Sequence, residues 1–135
     1  MADRGGEDLT TAEVNEAADA VIRAFGEHDT AAYFDGFAED ATFIFYTADQ
    51  RLESRAAYEA VWAEWESASG FRVHSCVSTN RRVQLVAGSG IFLHDVETVV
   101  EMDGATSTVL ERETIVFERR GDRWLAVHEH LSPRP

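Results

Sequence analysis

Two histidines near the end of the chain, His128 and His130, are the first candidates for chemistry. They are one residue apart in "RWLAVHEHL", and in an extended strand this spacing points both imidazoles to the same side. Imidazole titrates near neutral pH, so either ring could act as a general acid or base. The alternative is that both rings pack against a partner subunit or within a hydrogen-bonded cluster.

A third candidate is Arg112, in the strand "STVLERETIVFERR". There Leu110, Arg112, Thr114 and Val116 share one face. If this face is inward, the buried arginine needs a counter-ion, which either a protein carboxylate or a ligand supplies. With a ligand in that role, Arg112 would stabilise a developing enolate or carboxylate, and Thr114 would contribute to substrate binding.

His94 lies in "IFLHDVETVVEM", on the more apolar of that segment's two faces, which we assign to an internal cavity. A histidine among apolar side chains is more often a hydrogen-bonded core residue than a catalyst, although it could also orient a substrate. A zinc site made with His128 and His130 is disfavoured. The two strands should be separated by roughly 9–10 Å across the sheet, whereas ligand nitrogens lie about 2 Å from the metal. We therefore predict no metal.

Aromatic residues of the helices and the first strand should line the same cavity, although a plain hydrophobic core explains most of them equally well. The residues predicted to contact a substrate from this side are Tyr33, Phe37, Phe43, Phe45, Trp62 and Trp65.

The elements that position these residues begin with three helices. Thr10 and Glu13 have the spacing of a capping box and predict the start of the first helix. Asp29 predicts the N-cap of a short second helix, and Ser54 that of a third. Gly70 is a plausible C-terminal stop for the third helix.

The rest of the chain reads as extended strands. "ATFIFYT" predicts a first strand, and after residue 70 the helical period gives way to long strands. Asp103–Gly104 indicates a tight hairpin, and Gly121–Asp122 a second tight connection. These elements predict an α+β domain in which a strongly curved antiparallel sheet wraps around the helices. Residues 10–135 would form this single domain, with residues 1–9 disordered or loosely attached.

Composition excludes several classes of function. The net charge of −13 would repel nucleic acid. One cysteine allows neither an intramolecular disulfide nor a cysteine-rich zinc site. All 12 basic residues are arginine, so no lysine can form a Schiff base or a Walker-type phosphate loop. The sequence contains neither an apolar span nor an apolar N-terminal signal, which predicts a cytoplasmic protein with no membrane partner. The all-arginine composition, with the alanine and acidic content, suggests a bacterial source.

Two stretches carry a family resemblance. "FGEHDTAAYFDGFAEDATF" resembles the opening of the nuclear transport factor 2-like superfamily. Arg112-x-Thr114, the Gly–Asp turn and Trp124-x-x-x-His128-x-His130-x-Ser132 resemble its SnoaL-like branch, and are similar also to the association domain of calcium/calmodulin-dependent kinase. The resemblance implies a cone-shaped sheet around three helices, commonly in a homodimer, on a fold that hosts cyclases, isomerases, dehydratases, epoxide hydrolases and non-catalytic adaptors.

At several positions this sequence lacks the catalytic or binding residues of those relatives, which disfavours some of these activities. The positions of the ketosteroid isomerase tyrosine and aspartate fall on Val21 and Phe45, and neither side chain can transfer a proton. The arginines of the kinase association domain fall on Glu97, Ile115 and Leu131. Asp95 is only loosely placed as a cyclase-type aspartate.

Two functions remain open. The first is a cofactor-independent cyclase, isomerase or dehydratase that acts on a mostly apolar, carbonyl-bearing or polyaromatic molecule, with His128, His130 and Arg112 as catalytic groups. The second is a module that binds a ligand or dimerises without catalysis. In both cases a homodimer through the outer face of the sheet is expected.

Overall fold

The computed structural model describes residues 4–135 as three helices and one sheet. The helices are α1 (Arg4–Gly26), α2 (Thr30–Asp35) and α3 (Arg55–Ser69), and the strands are β1 (Phe37–Phe45), β2 (Arg72–Val86), β3 (Ser89–Met102), β4 (Ala105–Arg120) and β5 (Arg123–Pro133). The spatial order of the strands is β1-β5-β4-β3-β2. The predicted fold class, α+β with a curved sheet around the helices, is confirmed.

One strand pair differs from the predicted antiparallel sheet. β1 runs parallel to β5, whereas β2, β3, β4 and β5 pair antiparallel in sequence order. The meander follows from tight local turns, since Asp103 and Gly104 both have positive φ (53° and 77°) and Gly121 has φ 66°. The β1–β5 pair joins the two ends of the sequence, so no local turn signal could indicate its direction.

Helix caps explain where α2 and α3 begin and end. The Asp29 carboxylate accepts a hydrogen bond from the backbone N–H of Ala32 at 3.2 Å, and the Ser54 hydroxyl accepts one from Ala57 at 3.1 Å. Gly70 ends α3 in the left-handed conformation, with φ 63°. All three predictions of capping residues are confirmed.

The predicted start of the first helix is wrong, because α1 begins at Arg4 and Thr10 lies inside it. No proline interrupts residues 4–9, and glycines lower helix propensity without ending a helix. Residues 1–3 lie outside the described residues. The loose attachment of residues 1–9 stays a prediction.

The core lies between the helices and the concave face of the sheet. Trp62 on α3, Phe37 and Phe43 on β1, Phe92 on β3 and Phe117 on β4 are all at most 1% exposed. The rings of Trp62, Phe37 and Phe43 belong to a network of tilted and edge-to-face contacts that extends from α2 and α3 to β1. None of the described helices is long and apolar enough to cross a membrane.

A β-bulge in β5 decides which side chains reach the concave face. Val116 pairs with His128, but the next residue of β4, Phe117, pairs with Ala126. Val127 is therefore the extra residue, and the alternation of faces along β5 changes at this point. As a result, buried Ala126 and buried Glu129 lie on the same face.

Candidate functional site

A cavity of about 410 Å3 lies between the helices and the concave face of the sheet. Its wall is mostly apolar. The apolar and weakly polar residues that line it come from every helix and every strand: Val21, Ile22, Phe25, Tyr33, Phe45, Tyr46, Thr47, Tyr58, Trp65, Phe71, Cys76, Val96, Thr98, Val100, Met102, Val109 and Leu131. This composition suits a small, mostly apolar ligand.

Three glutamates interrupt the apolar wall. Glu111 and Glu113 project from β4 and Glu129 from β5. Glu129 is 3% exposed and Glu111 8%. Among the described lining residues there is no arginine or histidine to neutralise them.

Glu129 is the most perturbed of the three. Burial raises its pKa well above the ordinary value, and the neighbouring Glu113 raises it further through charge repulsion and hydrogen bonding. The Tyr33 hydroxyl opposes these effects. One side-chain oxygen, Oε1 of Glu129, is buried with no hydrogen-bond partner. The neutral form of this carboxyl group is therefore favoured, and the group has an unused polar atom at the cavity wall.

Glu113 and Glu111 each have a partner in the protein. Oε1 of Glu113 lies 2.7 Å from Nε2 of His94, which is buried. The Tyr46 hydroxyl donates to Glu111 Oε2 at 2.5 Å. Burial, and then Glu113, raise the pKa of Glu111, and the hydrogen bond from Tyr46 acts in the opposite direction.

Two buried tyrosines complete the polar part of the site. The hydroxyls of Tyr33 and Tyr58 are 2.9 Å apart. Burial, and then the proximity of Glu129, raise both pKa values well above the ordinary range. Both phenols therefore remain neutral and can donate hydrogen bonds.

The residues predicted to bind substrate divide into two groups. Tyr33, Phe45 and Trp65 line the cavity, whereas Phe37, Phe43 and Trp62 are buried in the core behind it. His94 lies on the predicted face of β3, where it contacts Glu113.

The structure places Arg112, Thr114, His128 and His130 on the convex face of the sheet, away from the cavity. Arg112 is 62% exposed and pairs with Asp95 at 3.9 Å, so its counter-ion comes from the protein. Together with Thr114 and His130 it borders a second depression of about 390 Å3, which His94 and Glu113 also border.

His128 bonds through Nδ1 to the Thr42 hydroxyl at 2.8 Å. Burial, and then His130, lower its pKa. The two imidazoles share a face, as their spacing predicts, with ring centroids 6.4 Å apart.

Sequence reasoning missed the glutamates because charged residues are expected on exposed faces. A signal was nevertheless present, since Glu111 and Glu113 share a face of β4 with Ile115 and Phe117, and this is the bulkier and more apolar face. For Glu129 the signal was hidden by the bulge at Val127. Among the side chains of residues 10–135, no group of three or more His, Cys, Asp or Glu residues is arranged to hold a metal ion.

Comparison with known proteins gives one family and many similar folds. The sequence profile of the SnoaL-like domain matches residues 14–135. No curated protein matches the chain.

Among solved structures, a proposed dehydratase of the NTF2-like family from Streptomyces avermitilis is 16% identical, with a TM-score of 0.77 over 95% of this chain and 99% of that one. A ketosteroid isomerase-like protein from Erwinia carotovora atroseptica is also 16% identical, with a TM-score of 0.77 over 93% and 96%. The calcium/calmodulin-dependent protein kinase II hub homology domain from Chlamydomonas reinhardtii is 18% identical, with a TM-score of 0.72 over 93% and 98%. At these levels of sequence identity, the similarity to these structures shows a shared fold only.

Proposed function

The chain belongs to the SnoaL-like domain family, and we propose that it is a cofactor-independent acid–base enzyme of the lyase or isomerase type. The observation that carries this proposal is the pair of carboxyl groups, Glu113 and Glu129, in the wall of an otherwise apolar cavity. The substrate is a small, mostly apolar molecule that bears a carbonyl group.

The charge of the cavity supports a neutral substrate. Three glutamates and no basic side chain line it among the described residues, so a carboxylate or phosphate ligand would meet repulsion in a site that excludes water. A neutral carbonyl oxygen, in contrast, can accept a hydrogen bond from a protonated carboxyl group or from a tyrosine hydroxyl.

The two carboxyl groups are suited to enolisation. One takes a proton from the carbon next to the carbonyl, and the other gives its proton to the carbonyl oxygen, so that a C–H bond breaks, an O–H bond forms and an enol results. Return of a proton at another carbon gives an isomer. Loss of a neighbouring hydroxyl as water gives a dehydrated product.

This assignment takes the place of the acid–base roles predicted for His128, His130 and Arg112. Those side chains lie on the opposite face of the sheet from the cavity, whereas a general base must come within hydrogen-bond reach of its proton. The bulge in β5, which turns Glu129 to the concave face, and the position of Glu111 and Glu113 on the buried face of β4 support this reassignment.

A matched pair of probes tests the proposal. 2-Acetonaphthalene is neutral and carries exchangeable protons beside its carbonyl, and 2-naphthoate has the same aromatic body with a negative charge. At ten times its Kd the ketone should stabilise the protein by about 1.4 kcal/mol in a thermal-shift assay, and the carboxylate should not. Equal or stronger binding of the carboxylate would contradict the charge argument.

Turnover is tested on the same ketone in D2O by proton NMR. The protein should accelerate exchange of the methyl protons, and Glu113→Gln and Glu129→Gln should each lower that rate, whereas Arg112→Gln should leave it unchanged. If the ketone binds and the wild-type protein leaves its protons unexchanged, the catalytic proposal fails and ligand binding alone remains.

The second candidate function is a ligand-binding or assembly module, which the structural likeness to a hub homology domain favours. The convex face of the sheet exposes apolar side chains that a second copy could cover: Ile44 (37%), Val77 (51%) and Leu110 (38%). For this function we expect a homodimer in sedimentation experiments, and Leu110→Arg should shift it towards monomer. A wild-type protein that is monomeric at micromolar concentration would contradict it.

A further inference from the structure

A buried row of hydrogen bonds lies behind the cavity wall and ends at one of the proposed acid–base groups. The Ser78 hydroxyl is 2.6 Å from Nδ1 of His94, and Nε2 of the same ring is 2.7 Å from Oε1 of Glu113. The His94 side chain is 0% exposed, and that of Glu113 is 15% exposed. Ser78 and His94 are not among the residues that line the apolar cavity, so they act on a ligand bound there only through Glu113.

Two hydrogen-bonded neighbours limit the state of the imidazole. A hydroxyl can either donate or accept, but an ionised carboxylate can only accept. If Ser78 donates to Nδ1, Nε2 carries the hydrogen and donates to Glu113. If the ring is doubly protonated, it donates to both. In both cases Glu113 is the ionised acceptor. The remaining arrangement, in which Nδ1–H donates to Ser78 and a protonated Glu113 donates to Nε2, is disfavoured because imidazole is a stronger base than a carboxylate and because the charge-assisted hydrogen bond is the stronger one.

We propose that His94 is a positioning residue that keeps Glu113 ionised and leaves the proton of the carboxyl pair on Glu129. In the proposed reaction Glu113 is then the base that removes the proton from carbon, and Glu129 is the acid that protonates the carbonyl oxygen. The roles of Glu113 as base and Glu129 as acid rest on the proposed function, whereas the location of the proton is independent of it.

The surroundings of the pair support this distribution. Among residues 10–135, whose side chains the structure describes, His94 is the only basic side chain paired with Glu113, and no basic side chain pairs with Glu129. The ring centroids of Phe92 and His94 are 4.7 Å apart. Cζ of Arg81 lies over the Phe92 ring, 4.9 Å from its centroid. Arg81 is itself neutralised by Asp19 at 2.6 Å.

The remaining titratable groups around the pair do not supply a competing positive charge. They are Glu111 on β4, Cys76 on β2, and Tyr33 and Tyr58 on α2 and α3. None of these groups carries a positive charge. Glu113 and Glu111 act against ionisation of Glu129 through charge repulsion, and only the Tyr33 hydroxyl, through a hydrogen bond, acts in the opposite direction. One ionised and one protonated glutamate is therefore the arrangement that the site favours.

The experiment is a pH titration of the glutamate side-chain carboxyl carbons by 13C NMR, without ligand, in the wild type, His94→Leu and His94→Gln. In the wild type at pH 7 we expect Glu113 ionised and Glu129 protonated. In His94→Leu the carboxyl carbon of Glu113 should move at pH 7 towards the chemical shift of a protonated acid, because the hydrogen bond to its charged form is lost. His94→Gln, which retains an N–H donor, should give an intermediate chemical shift.

Two results would overturn the inference: a protonated Glu113 in the wild type at pH 7, or an unchanged carboxyl 13C shift of Glu113 at pH 7 in a folded His94→Leu protein. If that variant does not fold, the 15N shifts of the wild-type imidazole decide, since the inference requires the proton on Nε2 and fails if Nε2 is unprotonated. The protein could show the expected proton location but neither bind 2-acetonaphthalene nor exchange its protons. In that case the proposed function fails, and the inference that His94 keeps the proton on Glu129 stands.

Discussion

Replacing Glu129 by glutamine should change how the stability of the protein depends on pH. Glutamine has nearly the shape of a protonated glutamate and cannot ionise. Because Glu129 is only 3% exposed, solvent screens the perturbation of its pKa very little. The variant therefore isolates the cost of keeping this carboxyl group buried.

The sign follows from the direction of the shift. In the unfolded chain a glutamate has a pKa of about 4.3 and loses its proton above that pH. In the folded protein burial and Glu113 raise the pKa of Glu129 well above this value, so the proton is retained. Since the folded state then binds more protons than the unfolded state, the free energy of unfolding decreases as the pH rises from the unfolded pKa to the folded one.

The magnitude is about 1.4 kcal/mol per pH unit wherever Glu129 is protonated in the folded state and ionised in the unfolded state. Between pH 5 and pH 7 the wild type should therefore lose up to about 3 kcal/mol relative to Glu129→Gln. Other ionisable groups titrate in both proteins, so the quantity to compare is the difference between their stabilities.

Urea unfolding at pH 5, 6 and 7 measures this difference. Glu64→Gln, a substitution at an exposed position of α3, is the matched control and should run parallel to the wild type. Parallel curves for wild type and Glu129→Gln would refute the reasoning, because they would mean that Glu129 ionises alike in the folded and unfolded states.

Three further predictions concern the packing and chemistry around the cavity. A methyl group on Gly90 would lie 2.6 Å from Cγ2 of Val14, so Gly90→Ala should destabilise the protein by about 1–3 kcal/mol in urea unfolding. Adding Val14→Ala should recover part of this loss. If the two losses simply add, the contact is contradicted. Burial raises the pKa of the Cys76 thiol to about 12, so at pH 8 its reaction with Ellman's reagent should be on the order of a thousandfold slower in the folded than in the unfolded protein; similar rates would show an accessible thiolate. Tyr46→Phe removes the hydroxyl that donates to Glu111, so the 13C titration midpoint of Glu111 should rise, and an unchanged midpoint would mean that this bond does not form in solution.

The sequence predicts those parts of the fold that depend on neighbours along the chain. Asp29, Ser54 and Gly70 act on backbone groups a few residues away, and the Asp103–Gly104 turn needs only its own two residues to adopt positive φ. These features therefore follow from local patterns.

The candidate site depends on contacts between distant segments, and there the prediction is incomplete. Alternation along β5 places His128 and Ala126 on one face, but the bulge at Val127 separates them, and the bulge exists only in the pairing with β4. The inward direction of Glu113 likewise depends on the burial of Ile115 and Phe117 on the same face. His94 was placed correctly because the apolar residues of β3 alternate without interruption.

The position of bound 2-acetonaphthalene tests the central claim most directly, and β3 contains its own control. Val96 and Val100 line the cavity, whereas Val99, between them, points to the other face of the same strand. In a methyl-labelled protein we expect intermolecular nuclear Overhauser effects from the naphthalene protons to Val96 and Val100 and none to Val99. Contacts to Val99 and Leu110 instead would place the ligand on the convex face and contradict the account.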